Sequence, residues 1–441
     1  RIVDAWGARV GVSPRPAGVP APPRAAAPAG GAPGRLLDGD VAAPVPADWD
    51  FLRSALDGDA ERALELAATL PEPWASYNTL VLGADPALAR RLTEGGALPS
   101  PFAELAAAAA YVHGLDDRPP DVPVAGPPEA LAAVRMVRAA AALERGLDDE
   151  AAAELERAGD AVRTRSPVFA AQLAAQRAEL LRAEPQRAVI ELENALRLAK
   201  TSKLPGQRSG LYVQLGLLLH DLADGRRGLL LEAVKAYQGA LQEGLANYPR
   251  SETFALVQNH LGLAYLAMPM GDDAARLRLG VAVQAFRKAL DVYRPDTHPE
   301  LWSSTQLNLA NALQYLPSSH PQENLVQAVE LYEEVLQVRS AAKDPLSYAR
   351  LLANQANALG HLGMFSPALQ KLEEAHKLFH WHGEPELAAS VLEQVAAIHQ
   401  RRDAAEDEAR SGRAGGDPAG EDPADPNPAA ASPGADPEGN P

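Results

Sequence analysis

Residues 299–379 read PELWSSTQLNLANALQYLPSSHPQENLVQAVELYEEVLQVRSAAKDPLSYARLLANQANALGHLGMFSPALQKLEEAHKLF. The stretch says one thing twice. Leu309-Ala310-Asn311-Ala312-Leu313, followed by Ala328, Tyr332 and Val335, returns as Gln355-Ala356-Asn357-Ala358-Leu359, followed by Ala368, Leu372 and Ala375. Ala310 and Ala356 stand 46 positions apart. Small and apolar residues recur at helical spacing in both copies, which predicts paired amphipathic helices. A helix pair cannot cover its own apolar face, so such copies stack on one another.

Working outward, the same spacing extends toward the N-terminus. Leu261-Gly262 and Tyr265 answer to Ala282, Phe286 and Ala289, and Leu215-Gly216 and Leu219 to Ala233, Tyr237 and Ala240. Before these come Gln176 and Ala183 with Ala188, Leu192 and Ala195, then Ala139 and Ala142 with Ala151, Leu155 and Ala158. A small residue on the first helix of each pair lets the second approach closely. A small residue on the second accepts a bulky neighbour, and an aromatic or Leu four positions on fills the groove. Six hairpins are predicted between Glu129 and Gln400, with a seventh if residues 48–70 supply one.

This pattern resembles the tetratricopeptide repeat (TPR) family, in the long-loop form found in bacterial multidomain signalling proteins. The resemblance implies an all-α fold: a right-handed superhelical solenoid of antiparallel helix pairs whose first helices line a concave groove. Connections inside three hairpins look long, at 224–230, 268–279 and 317–325. The repeat length is correspondingly near 46 residues where the family has about 34. Some proteins of that long-loop type carry a caspase-like effector, an activity that does not transfer to a chain with no cysteine.

The composition agrees with helix-on-helix packing, since 46% of residues are hydrophobic and only 5% aromatic. Absence of cysteine excludes a disulfide, a thiolate nucleophile and a Cys-based zinc site. A net charge of −17 argues against a broad nucleic-acid interface, which needs a basic stripe. No apolar run approaches the roughly 20 residues that span a bilayer. A soluble, cytoplasmic protein is expected, without cofactor. The sequence begins at Arg1 rather than Met, which reads as a truncated N-terminus.

Residues 1–46 are rich in Pro and Ala and are expected to be a disordered leader. Residues 47–128 form an expected N-terminal helical subdomain, starting with Asp48 as an N-cap and ending in the Pro-rich break DDRPPDVPVAGPP (116–128). The repeat array is assigned to 129–402. Residues 403–441 are expected to form a disordered acidic tail, with nine acidic residues against Arg410 and Arg413 between Ala404 and Pro441.

Two sets of residues are candidates for binding. Asn308 and Asn311 are three apart, as are Asn354 and Asn357, so each pair shares a helical face at matching repeat positions. By the resemblance these amides face the groove. An Asn there either donates to and accepts from a partner's extended backbone or bridges neighbouring helices. Arg350, one turn before Asn354, suits a partner carboxylate, and Asn259 beside His260 is a weaker echo in the preceding hairpin. The second set is His376 and His380, four apart on one helix, with His382 where that helix should end. They offer a metal pair, or simply cations at a helix C-terminus beside an exposed Trp381. No phosphate-binding loop or nucleophile elbow is present.

The function expected is a non-enzymatic adaptor holding a segment of another protein in the groove, with self-association open. One alternative is an accessory factor for metalloenzyme assembly, such as for a hydrogenase. It rests on the histidines and on a faint resemblance of residues 74–83 and 100–114 to bacterial helical-repeat accessory proteins. Another is the sensor half of a signalling system.

Overall fold

The computed structural model describes residue 40 and residues 49–94, 98–204, 206–268, 274–317 and 320–414. Among the described residues there are eighteen α-helices, a few short 3-10 turns and no strand. The expected leader lies outside the described residues except for Asp40, as does the tail beyond Ala414. The chain forms two compact units, one ending at Val338 and one starting at Arg339.

The first unit opens with five short helices: α1 (Asp50–Leu56), α2 (Ala60–Ala68), α3 (Trp74–Gly83), α4 (Pro86–Glu94) and α5 (Phe102–Val112). Five packed pairs follow. They are α6 (Pro128–Glu144) with α7 (Asp148–Val162), α8 (Pro167–Leu180) with α9 (Pro185–Leu198), and α10 (Gln207–Ala223) with α11 (Arg227–Gln242). Then come α12 (Glu252–Leu266) with α13 (Ala275–Leu290) and α14 (Pro299–Gln314) with α15 (Pro321–Val338). Each second helix also packs on the first helix of the next pair, so the antiparallel pairs stack as a TPR-like solenoid.

Several prolines of this segment start helices rather than break them. Pro128, Pro167, Pro185 and Pro299 all occupy the first turn, where a missing N–H costs nothing. The Ser251 hydroxyl caps α12 by accepting from the Phe254 N–H at 3.2 Å. The helices are longer than the sequence suggested. Leu230, Leu279 and Leu325 stand three residues before Ala233, Ala282 and Ala328 and are buried with them. Each therefore extends the buried stripe by one turn, so α11 starts at Arg227, α13 at Ala275 and α15 at Pro321, inside the stretches expected to be loop.

The small residues do what their spacing implied. A Cβ added at Gly216 would stand 2.5 Å from the Tyr237 ring, and one at Gly262 would stand 2.5 Å from the Phe286 ring. Both rings are fully buried. Glycine at these two positions sets the distance between the paired helices.

The Pro-rich break at 116–128 does not interrupt the core. Tyr77, Val81, Phe102 and Leu105 form one buried cluster with Val134 and Val137 of α6. Trp74 meets Phe102 edge-on with ring centroids 4.9 Å apart. Arg138 of α6 donates to the Pro120 carbonyl oxygen at 2.9 Å. Arg138 and Arg135 also surround the buried Glu154 of α7, with Arg135 donating at 2.7 Å.

The second unit contains α16 (Pro345–His361), α17 (Phe365–Trp381) and α18 (Pro385–Ala414). Leu351, Leu352 and Leu359 of α16 are buried, as are Ala368, Leu372, Ala375 and Phe379 of α17. Gly360 admits α18 closely, since a Cβ there would stand 3.1 Å from Ile398. Helix α18 continues past residue 402, where the array was expected to end, to Ala414. Among the described residues no helix is long and apolar enough to cross a membrane.

Candidate partner-binding surface

The two copies of the quoted repeat stand in different units, Asn308 and Asn311 in the first and Asn354 and Asn357 in the second. On α14, Asn308 and Asn311 are both half-buried, yet their surroundings differ. The Tyr332 hydroxyl of α15 donates to Asn311 Oδ1 at 2.7 Å and lies 3.2 Å from Gln314 Oε1. With one hydroxyl proton, Tyr332 has two alternative acceptors. Asn311 thus ties the two helices of its own hairpin. The Asn308 side chain makes no hydrogen bond among the described residues.

The tyrosine explains the polar residues. Tyr237, Phe286, Tyr332 and Leu372 all stand four positions after the small residue of a second helix. A buried tyrosine brings a hydroxyl that needs a partner. Four positions after Gly216 and Ala310 are His220 and Gln314, facing Tyr237 and Tyr332, while the position matching them opposite Phe286 is Leu266. Burial raises the ionisation of both tyrosine hydroxyls well above the ordinary range, so they remain neutral hydrogen-bonding groups.

Neighbouring first helices are also joined. The Thr305 hydroxyl of α14 donates to Asn259 Oδ1 of α12 at 3.3 Å. Gln306, buried on the same helix, donates from Nε2 to Glu334 Oε2 of α15 at 2.6 Å. Asn259 therefore has its amide oriented by an internal contact, with Nδ2 left without an acceptor among the described residues.

A cluster that the sequence alone did not assemble lies between α10 and α12. His220 and His260 meet edge-on with centroids 5.6 Å apart, and Tyr237 of α11 lies 6.0 Å from the His260 ring. The Tyr237 hydroxyl is 3.5 Å from His220 Nδ1. His260 Nδ1 is buried with no hydrogen-bond partner. Burial lowers the pKa of His220, and burial together with the nearby His220 pushes that of His260 down to about 4. His260 occupies the repeat position of Asn308 and Asn354, two before the small residue, and that register is the signal that could have found it.

In the second unit, Asn354 and Asn357 are half-buried and engaged within the chain. Gln355 between them is buried. Arg350 is exposed and lies near Asp344, the N-cap of α16. Asp344 Oδ1 accepts from the Ser347 N–H at 3.0 Å; this bond, aided by the charges of Arg339 and Arg350, holds its pKa below the usual value. His376 and His380 stack with rings 6.2 Å apart and only 5° from parallel. His382 is the residue after the last turn of α17, and Trp381 is 81% exposed. Among the described residues, no group of three or more His, Cys, Asp or Glu side chains is placed to hold a metal ion.

No protein-family model matches the sequence, and neither does any curated protein sequence. Similar solved structures are helical proteins of low identity. The apo form of RapI is 13% identical, with 61% of this chain and 98% of that chain covered and a TM-score of 0.39. PilF of Pseudomonas aeruginosa is 18% identical, with 63% and 97% covered and a TM-score of 0.33. The TPR domain of P58(IPK) is 19% identical, with 83% and 96% covered and a TM-score of 0.26. Likeness at this level carries no argument about activity; the repeat architecture rests on the helix pairs themselves.

Proposed function

We propose that the chain is a non-enzymatic scaffold that holds an extended segment of a partner protein against its first helices. Asn308 is the principal contact, with Asn259 beside it on the preceding first helix. Asn311 supports that surface from within by fixing α15 against α14. Asn354, Asn357 and Arg350 offer a second contact region on α16. The partner is a protein segment rather than nucleic acid, given a net charge of −17.

The observation that carries this reading is the contrast between Asn308 and Asn311. They share one helix face, but only Asn311 has an internal role that accounts for it. An amide with no internal partner, on the surface of a stacked array, can donate to and accept from a peptide backbone. The test is affinity capture with the full chain, quantified by mass spectrometry beside the Asn308→Ala variant. Loss of one amide contact should lower recovery of the specific partner about five-fold, the equivalent of about 1 kcal/mol. Equal recovery by both proteins would refute the site.

A further inference from the structure

We infer that His220 and His260 form an acid-sensitive joint between the α10–α11 and α12–α13 hairpins, closed while both rings are neutral and loosened when His260 takes up a proton. The joint is built from three side chains on three helices. His220 and His260 pack edge-on across adjacent first helices, and the Tyr237 ring lies against both, 6.4 Å and 6.0 Å away. The cluster stands beside close packing at two glycines, since Tyr237 also fills the space over Gly216 and Phe286 the space over Gly262. A proton on His260 would place a charge where Nδ1 already lacks a partner and where its nearest titratable neighbour is a second imidazole. Charging a buried group without a partner is costly, and packed interfaces respond by opening rather than by yielding gradually.

The surrounding charges set the direction. From α10 the groups facing His260 are His220, which opposes its protonation, and Asp221, which favours it; from α11 there is Tyr237, held neutral by burial. Asp221 is solvent-exposed, and its attraction is smaller than the effect of burial. On the chain neighbours of His260, Phe286 of α13 stands over Gly262 and Thr305 of α14 bonds Asn259, and both are uncharged. Neither helix adds a charge that bears on the ring among the described residues.

The sign follows from linkage. A histidine whose folded pKa is depressed contributes stability in full above its unfolded value, 6.5, and that stability is lost as pH falls from there toward the folded value of about 4. The experiment is urea unfolding of the full chain between pH 7 and 4.5, beside His260→Asn. Asn cannot titrate and is the residue the repeat itself places at 308 and 354. Over that range the wild type should lose roughly fifty-fold more in folding equilibrium than the variant, by linkage for one such group. Parallel pH dependence in the two proteins would overturn the inference.

Should His260→Asn not fold, proton NMR of the histidine rings in the wild type decides the matter, with the His260 signal assigned through its change in His220→Asn. A ring that stays neutral below pH 5 supports the joint. Titration near 6.5 overturns it.

Discussion

Replacing Gly262 by Ala tests whether close approach at a small residue holds this array together. The new methyl group would stand 2.5 Å from Cε1 and 2.6 Å from Cζ of Phe286, far inside a van der Waals contact. Phe286 is 0% exposed and part of α13, so its ring has no room to swing aside. Overpacking of this kind costs about 1–3 kcal/mol. Alanine returns up to about 1 kcal/mol through its better helix propensity, which leaves a net loss of about 0–3 kcal/mol. The internal control is Gly280→Ala on α13, where an added Cβ meets nothing within 4 Å. There only the propensity gain applies, and stability should rise by up to about 1 kcal/mol.

Urea unfolding followed by circular dichroism compares the two variants, with an unchanged slope showing that stability alone has moved. The double variant Gly262→Ala, Phe286→Leu should recover part of the loss, because the two positions touch and their effects do not add. If Gly262→Ala were as stabilising as Gly280→Ala, the interlocking of small residue and ring would not be what positions these helices.

Two further outcomes follow from named contacts. Asn311→Ala should destabilise the protein by about 1 kcal/mol, because the buried Tyr332 hydroxyl keeps only Gln314. Asn308→Ala should stay within about 0.5 kcal/mol of wild type. Equal losses in denaturant midpoint would contradict the separate roles assigned to them. Asp344→Ala removes the N-cap of α16 and should cost about 0.5–2 kcal/mol at neutral pH. Because the folded pKa of Asp344 is lowered, the cap is fully present above the unfolded value near 4 and is lost as pH falls through the lower folded value. Thermal midpoints of wild type and variant should therefore converge below about pH 4, and a constant gap down to pH 2 would show that the carboxylate is not the cap.

The sequence by itself determined the fold class, the helix pairing and the interlocking positions. These depend on local period and on the size of single residues. A small residue opposite a ring four positions beyond another small residue can be recognised from spacing alone, as Gly216 with Tyr237 and Gly262 with Phe286 show. Helix starts were harder to place, because Leu230, Leu279 and Leu325 carry the buried stripe one turn into segments whose composition resembles loop.

Tertiary structure alone decided what each polar residue does. Asn308 and Asn311 are the same residue type on the same helix face. Whether either meets a hydroxyl depends on where the neighbouring helix sets down Tyr332, which is a property of packing. The same holds for His220 and His260, which lie 40 positions apart in the chain and become a single titrating cluster only when two hairpins stack. The Pro-rich break likewise reads as a boundary because proline and glycine disfavour regular structure. Yet Arg138 and the cluster of Tyr77, Phe102, Val134 and Val137 join the segments on its two sides, since burial of apolar surface acts across a loop whatever its composition.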